Sequence, residues 1–117
     1  MSNVSHIGRA ELEQLAQKWL VFEARDIAEQ STCTHAITRF GAFRQLGVAQ
    51  EECAELIVKI SHAQRKRIEL EALAEEIADV EIMCRQLRVL VGDAGVDAKK
   101  RVKLARLEER IARDSNG

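Results

Sequence analysis

The stretch from Glu69 to Val91, ELEALAEEIADVEIMCRQLRVLV, reads as one helix. It holds neither Gly nor Pro, and Leu73, Ile77, Val80, Cys84, Leu87 and Val91 recur three or four residues apart. That spacing marks one helical face. At about 100° per residue, Glu76 falls inside this stripe, between Met83 and Leu87 around the helix. Asp79 lies on its margin, beside Met83 and Leu90. Glu71, Glu75 and Arg85 fall on the opposite or lateral face. Two carboxylates therefore stand where a helix should pack.

Upstream, the pattern repeats. A helix is predicted from about Ala36 to Arg67, bent near Gly41 or Gly47. Its apolar stripe is Leu46, Ala49, Cys53, Leu56, Ile60 and Ala63. Glu52 borders Leu56 and Ala63, with Gln45 and Lys59 one heptad away on either side, and Glu55 lies one turn on along the same edge. A first helix is predicted from Arg9 to Gln30, with Glu11 and Glu13 in its first turn, where the helix dipole favours carboxylates. Ser31-Thr32-Cys33-Thr34 is expected to break it, because these side chains compete for backbone hydrogen bonds. Downstream, Gly92-Asp93-Ala94-Gly95 ends the third helix, and Asp97 is placed to cap a fourth from Ala98 to Arg113. Short connections predict antiparallel neighbours. The expected fold is all-α, an antiparallel four-helix, bundle-like single domain over residues 1–117.

Composition agrees. The chain has 117 residues, 46% hydrophobic and 32% charged, with no Pro and only 6 Gly. That suits one soluble helical domain. Aromatics are only 3%, so the core must come from Leu, Ile, Val and Ala. A net charge of −1 supplies no bulk attraction for nucleic acid or membrane. Met1 to Glu11 contains no apolar run, and the longest clearly apolar stretch, Trp19 to Phe22, is too short to span a bilayer. A cytoplasmic location is expected. Cys33, Cys53 and Cys84 are an odd number without metal-type spacing. Cys53 and Cys84 fall on the predicted apolar faces, which makes them small core residues in a reducing compartment.

Burying an unpaired carboxylate is costly, and Glu52, Glu55, Glu76 and Asp79 would repel one another if they converged. Lys59 alone does not compensate four acids. An all-oxygen cluster without paired His or Cys suits a hard cation, Mg²⁺ with Mn²⁺ as substitute. Such ions commonly take substrate phosphates as further ligands, which points to phosphate-ester or anhydride chemistry. The plain alternative is a pair of solvated, salt-bridged acidic edges. A di-iron carboxylate bundle needs Glu-x-x-His, and none of His6, His35 and His62 has Glu three positions before it.

Phe40 to Lys59, FGAFRQLGVAQEECAELIVK, and Glu75 to Leu87, EEIADVEIMCRQL, together resemble the E-E-x-x-E and E-x-x-D signatures of the MazG-like nucleotide pyrophosphohydrolases. These belong to the all-α NTP pyrophosphatase superfamily, and the short single-domain versions, many from phages, are nearest. Their pattern often has a Gly and a Gln before the first motif, a Lys after it, and an A-D-V-x-I-M-x-x-Q-L ending to the second. The similarity covers about Phe40 to Ile111. It implies that Glu52, Glu55, Glu76 and Asp79 bind magnesium. It also implies catalytic roles for Glu51, Glu52 and Lys59, with Lys59 binding a phosphate as a point charge. The implied reaction is Mg-dependent hydrolysis of a nucleoside triphosphate to a monophosphate and pyrophosphate. The implied assembly is a homodimer or homotetramer with sites near subunit interfaces. The alternatives are a non-catalytic interaction module on the same fold, or a relative acting on dUTP or phosphoribosyl-ATP.

Other residues carry weaker signals. Gln45, where the family places a Gln, is a candidate to read a base or ribose edge; the plain reading is a boundary residue. Trp19, Phe40 and Phe43 are candidates for base stacking, though a lone Trp in an aromatic-poor protein is more often a core anchor. His62 is a minor candidate for phosphate contact. Arg65-Lys66-Arg67 and Lys99-Lys100-Arg101, the latter continued by Lys103, Arg106 and Arg110, read as solvated, salt-bridged faces. No aromatics interleave with them, so nucleic-acid polymers are not expected partners.

Overall fold

Single glycines make two of the corners of this protein. The computed structural model describes residues 6–65 and 69–116. Within them the chain forms four helices and no strand: α1 (Arg9–Phe40), α2 (Ala42–Arg65), α3 (Leu70–Val91) and α4 (Asp93–Asn116). Gly41 lies between α1 and α2 at φ 95°, and Gly92 lies between α3 and α4 at φ 97°. Side-chain-bearing residues rarely adopt that conformation. Each glycine closes one helix with its N–H, on Ile37 and Arg88 respectively, and opens the next with its carbonyl, to Gln45 and Val96.

Several boundaries differ from the sequence expectation: residues 36–40, expected to open the second helix, belong to α1, and α2 begins only at Ala42. The Ser31–Thr34 run does not break α1. Thr34 and Thr38 donate their hydroxyls to the carbonyls of Gln30 and Thr34, at 2.8 and 3.0 Å. The competition for backbone partners is thus resolved inside the helix rather than by ending it. Asp97 does not cap α4, which starts four residues earlier. Instead Asp97 and Asp93 both accept from Arg88, at 2.7 and 2.9 Å, pinning the start of α4 to the end of α3. The expected end of the second helix at Arg67 lies outside the described residues.

α2 and α3 make the main packing. Gln45 meets Gln86, and Glu52 lies near Asp79. The contact faces are rotated from the predicted stripes. α2 turns Gln45 and Ala49 fully inward, with Glu52, Leu56 and Lys59 half-buried, while Leu46, Cys53 and Ile60 stay exposed. α3 buries Met83 and Gln86 and leaves Ile77, Cys84 and Val91 exposed. Cys53 and Cys84 are therefore not core residues within this chain, whereas Cys33 is buried. Polar contacts hold this rotation. The Gln45 amide donates to Gln86 Oε1 at 2.8 Å, and the Gln86 amide reaches Met83 Sδ at 3.6 Å.

α1 crosses α3 on the far side of the Gln pair. The Cys33 thiol points to the Ile82 carbonyl at 3.9 Å, and burial with the nearby Glu29 charge pushes that thiol's pKa up. Arg85 bonds Asp26 at 2.8 Å and Gln30 at 3.2 Å and pairs with Glu29 at 3.6 Å. The amino half of α1 touches no other helix closely enough to bury anything. Leu12, Leu15, Trp19 and Phe22 are exposed, and the Trp19 ring lies edge-on to Phe22 at 6.2 Å. α4 packs only on α3. The radius of gyration is 19.7 Å, against about 13 Å for a compact chain of this length. The buried apolar residues are few, Cys33, Ala49 and Met83. No helix among the described residues is long and apolar enough to cross a membrane.

Candidate metal centre

The inward rotation of α2 and α3 carries the acids with it. Glu52 sits one heptad after buried Gln45, and Asp79 one heptad before buried Gln86. The Gln45–Gln86 hydrogen bond therefore fixes the register in which the carboxylates meet. One carboxylate oxygen from each of Glu52, Glu76 and Asp79 lies within 4.8 Å of the others. Glu52 and Glu76 are half-buried, and each has a buried Oε2 with no hydrogen-bond partner. Asp79 and Glu55 are exposed and form the open side.

The electrostatics follow from that crowding. The carboxyl of Glu52 is held above its ordinary pKa, first by desolvation, then by the charges of Glu55, Asp79 and Glu76 and the closeness of the Asp79 carboxyl. Glu76 is raised in the same way, by desolvation, then by the nearby carboxyls of Glu55 and Asp79. Lys59 acts on Glu76 and only partly offsets the rise there. Without a cation, crowding and desolvation make these carboxyls bind protons more tightly than free ones do. Three oxygens drawn together, two of them otherwise unpartnered, fit a hard divalent ion that keeps some water ligands.

A groove beside the cluster is lined by Ala54, Glu55, Val58, Lys59 and Glu76. Lys59 is half-buried along the same edge as Glu52, one heptad further. Not every sequence candidate converges here. Glu51 is exposed and is not among the three clustered acids. Gln45 is buried between the helices, with its amide committed to Gln86. Phe40 and Phe43 are exposed near the Gly41 corner, with the Arg44 guanidinium 5.6 Å from the Phe40 ring centre. His62 is exposed in the last turn of α2. Lys66 and Arg67 of the basic run lie outside the described residues.

The residue that sequence reasoning passed over is Gln86. Its signal was the heptad from Asp79, the counterpart of the heptad from Gln45 to Glu52. Arg85, read as lateral, proves to be the tie between α1 and α3.

The chain matches no family model, no curated protein and no solved structure. The functional reading therefore rests on the motif residues and on this geometry.

Proposed function

We propose that the protein is a magnesium-dependent nucleoside triphosphate pyrophosphohydrolase, converting NTP and water to NMP and pyrophosphate. One observation carries the reading: the clustered oxygens of Glu52, Glu76 and Asp79, two of whose acids bury an oxygen that finds no partner in the protein. Glu52, Glu76 and Asp79, joined by Glu55 at the rim, would hold the ion, with Mn²⁺ as a substitute. When bound, such an ion supplies Lewis acidity to the phosphoryl oxygens and to the attacking water.

The chain's own residues do the rest by position and charge, as suits phosphoryl transfer. Lys59, flanking the groove, offers a point charge to a phosphate oxygen. Glu55 and Asp79 face solvent and accept water's hydrogen bonds on the side where substrate enters. Glu51 lies outside the cluster and is left with an auxiliary role on incoming water at most. Gln45 acts through Gln86 as a positioning residue rather than on the base. The assembly that goes with this reading is a homodimer or homotetramer in which the helices form an antiparallel bundle.

A non-catalytic helical interaction module is the second reading, favoured by the large uncovered apolar surface. A dUTP or phosphoribosyl-ATP pyrophosphatase is the third, sharing the same acid chemistry. Pyrophosphate release from a panel of ribo- and deoxyribonucleotides separates them. Release that needs Mg²⁺ and disappears in Asp79→Asn supports the enzyme and names its base. No release from any nucleotide by the folded protein moves the assignment to the interaction module.

A further inference from the structure

Every described residue of α4 except Val96 is exposed, and the helix packs only on α3. Its cations are ordered. Lys99, Lys103, Arg106, Arg110 and Arg113 recur alternately four and three residues apart. At about 100° and 1.5 Å per residue, they form one stripe about 80° wide and about 21 Å long. No Asp or Glu falls inside that arc; Glu109 and Asp114 border it. Salt bridges were expected on this face, and the structure does not make them. Among the described residues, none of the five cations pairs with an acid. Asp93 and Asp97, at the amino end of α4, are taken by Arg88, at 2.9 and 2.7 Å. The helix dipole favours cations only in the last turn, which accounts for Arg113 alone. In a chain of net charge −1, positive charge is thus gathered along one edge of one free helix.

We infer that this stripe binds the phosphate backbone of double-stranded DNA, without reading its sequence. The make-up of the arc selects the occupant. It holds no apolar side chain, and Leu104, Leu107 and Ile111 lie outside it, whereas a protein partner anchors on buried aromatic or aliphatic groups. A flat lipid surface touches a wide arc of a helix lying on it, and would bring Glu109 and Asp114 against anionic headgroups. A narrow ridge of cations instead follows a groove or a single line of phosphates. Duplex DNA carries one charge per about 1.7 Å of axis, so about 21 Å of it offers about 12 charges to the five cations. The lack of interleaved aromatics argues against single strands, whose bases stack on such rings. It does not argue against a duplex, whose bases are already stacked. No Asn or Gln lies on the stripe to pair with an adenine edge, so the contacts position the helix on the backbone without specifying a sequence. The inference does not depend on the metal reading, because no residue of α4 belongs to the acid cluster.

The test is fluorescence anisotropy of a labelled duplex of about 20 base pairs, titrated with the full-length protein at several KCl concentrations. Five phosphate contacts predict that log Kd rises with log salt at a slope of about 4.5, a loss of affinity of about 500-fold between about 50 and about 200 mM KCl. Unrelated sequences should bind equally. Arg106→Gln combined with Arg110→Gln should lower the slope by about 2 while the helical circular dichroism is kept. Lys100→Gln combined with Arg101→Gln removes the same charge from the same helix outside the stripe and should leave the slope unchanged. No binding at the lowest salt overturns the inference. Equal losses from the two pairs also overturn it, because net charge rather than the stripe would then be responsible. Binding to vesicles of phosphatidylserine and phosphatidylcholine, with none to the duplex, overturns it in favour of a lipid surface.

Discussion

Glu52 and Glu76 show how a sequence encodes discomfort. Each occupies a helix position that packs, and each has an oxygen buried without a partner. Their raised pKa values mean that the folded chain holds protons the unfolded chain releases. This contribution to stability is complete below the ordinary carboxyl value of 4.5 and is lost as pH climbs through the raised one. In EDTA, Glu52→Gln should therefore melt at a higher temperature than the parent at pH 7, with the gap closing towards pH 4.5. Added Mg²⁺ should raise the melting temperature of the parent and leave that of the variant nearly unmoved. Melting curves across pH, with and without metal, check both arms. A parent protein indifferent to Mg²⁺ would remove the metal site. For the reaction itself, Asp79→Asn should reduce pyrophosphate release about a hundredfold or more while the helical circular dichroism is kept, since one ligand of a charge-stabilising ion is lost. The buried glutamines behave differently. Gln45→Ala leaves Gln86 with an unmet acceptor and should cost about 1–3 kcal/mol, whereas replacing both by Leu should cost less than the two single changes added. Urea unfolding of the four proteins in that cycle measures the coupling.

At the scale of elements, glycines set the α1–α2 and α3–α4 corners. Gly41 and Gly92 have positive φ, so Gly41→Ala and Gly92→Ala should each destabilise by about 1–3 kcal/mol. Gly47 lies inside α2, and an added Cβ there meets nothing within 4 Å. Gly47→Ala should therefore stabilise by up to about 1 kcal/mol. Opposite signs from chemically identical substitutions, read by denaturant unfolding, test the backbone assignment at all three sites. The existence of helices in all four segments was legible from periodicity and from the lack of breakers. Their boundaries were less so. Ser31–Thr34 looked like an interruption, because a hydroxyl's preference for a turn or for the preceding helical carbonyl is decided by what surrounds it. Here Cys33 is buried against α3, and the helix continues. Asp97 looked like a cap, because only the folded chain brings Arg88 within 2.7 Å of it. That guanidinium lowers the pKa of Asp97. The pair therefore contributes stability above the unfolded aspartate value of 3.8, which is lost as pH falls through the lowered one.

For the whole molecule, the contrast between a small buried core and a wide apolar surface sets the expected behaviour. A chain whose folding is linked to association melts at a temperature that rises with its concentration. Scans over a hundredfold range of concentration should show that rise, and a constant melting temperature would mark a self-sufficient monomer. The sequence by itself determined the helical class, the amphipathic period of each segment and the presence of Glu52 and Glu76 at packing positions on α2 and α3, because spacing along a helix is fixed by its own backbone geometry. It could not determine which way each helix turns. Leu46, Cys53 and Ile60 differ from Gln45, Glu52 and Lys59 by one residue, about 100° of rotation, and hydrophobicity alone favours the first set. The tertiary structure turned the second set inward. A buried amide pair at 2.8 Å and the Arg85 clamp on α1 are satisfied in that rotation, and polar groups taken out of water must find partners.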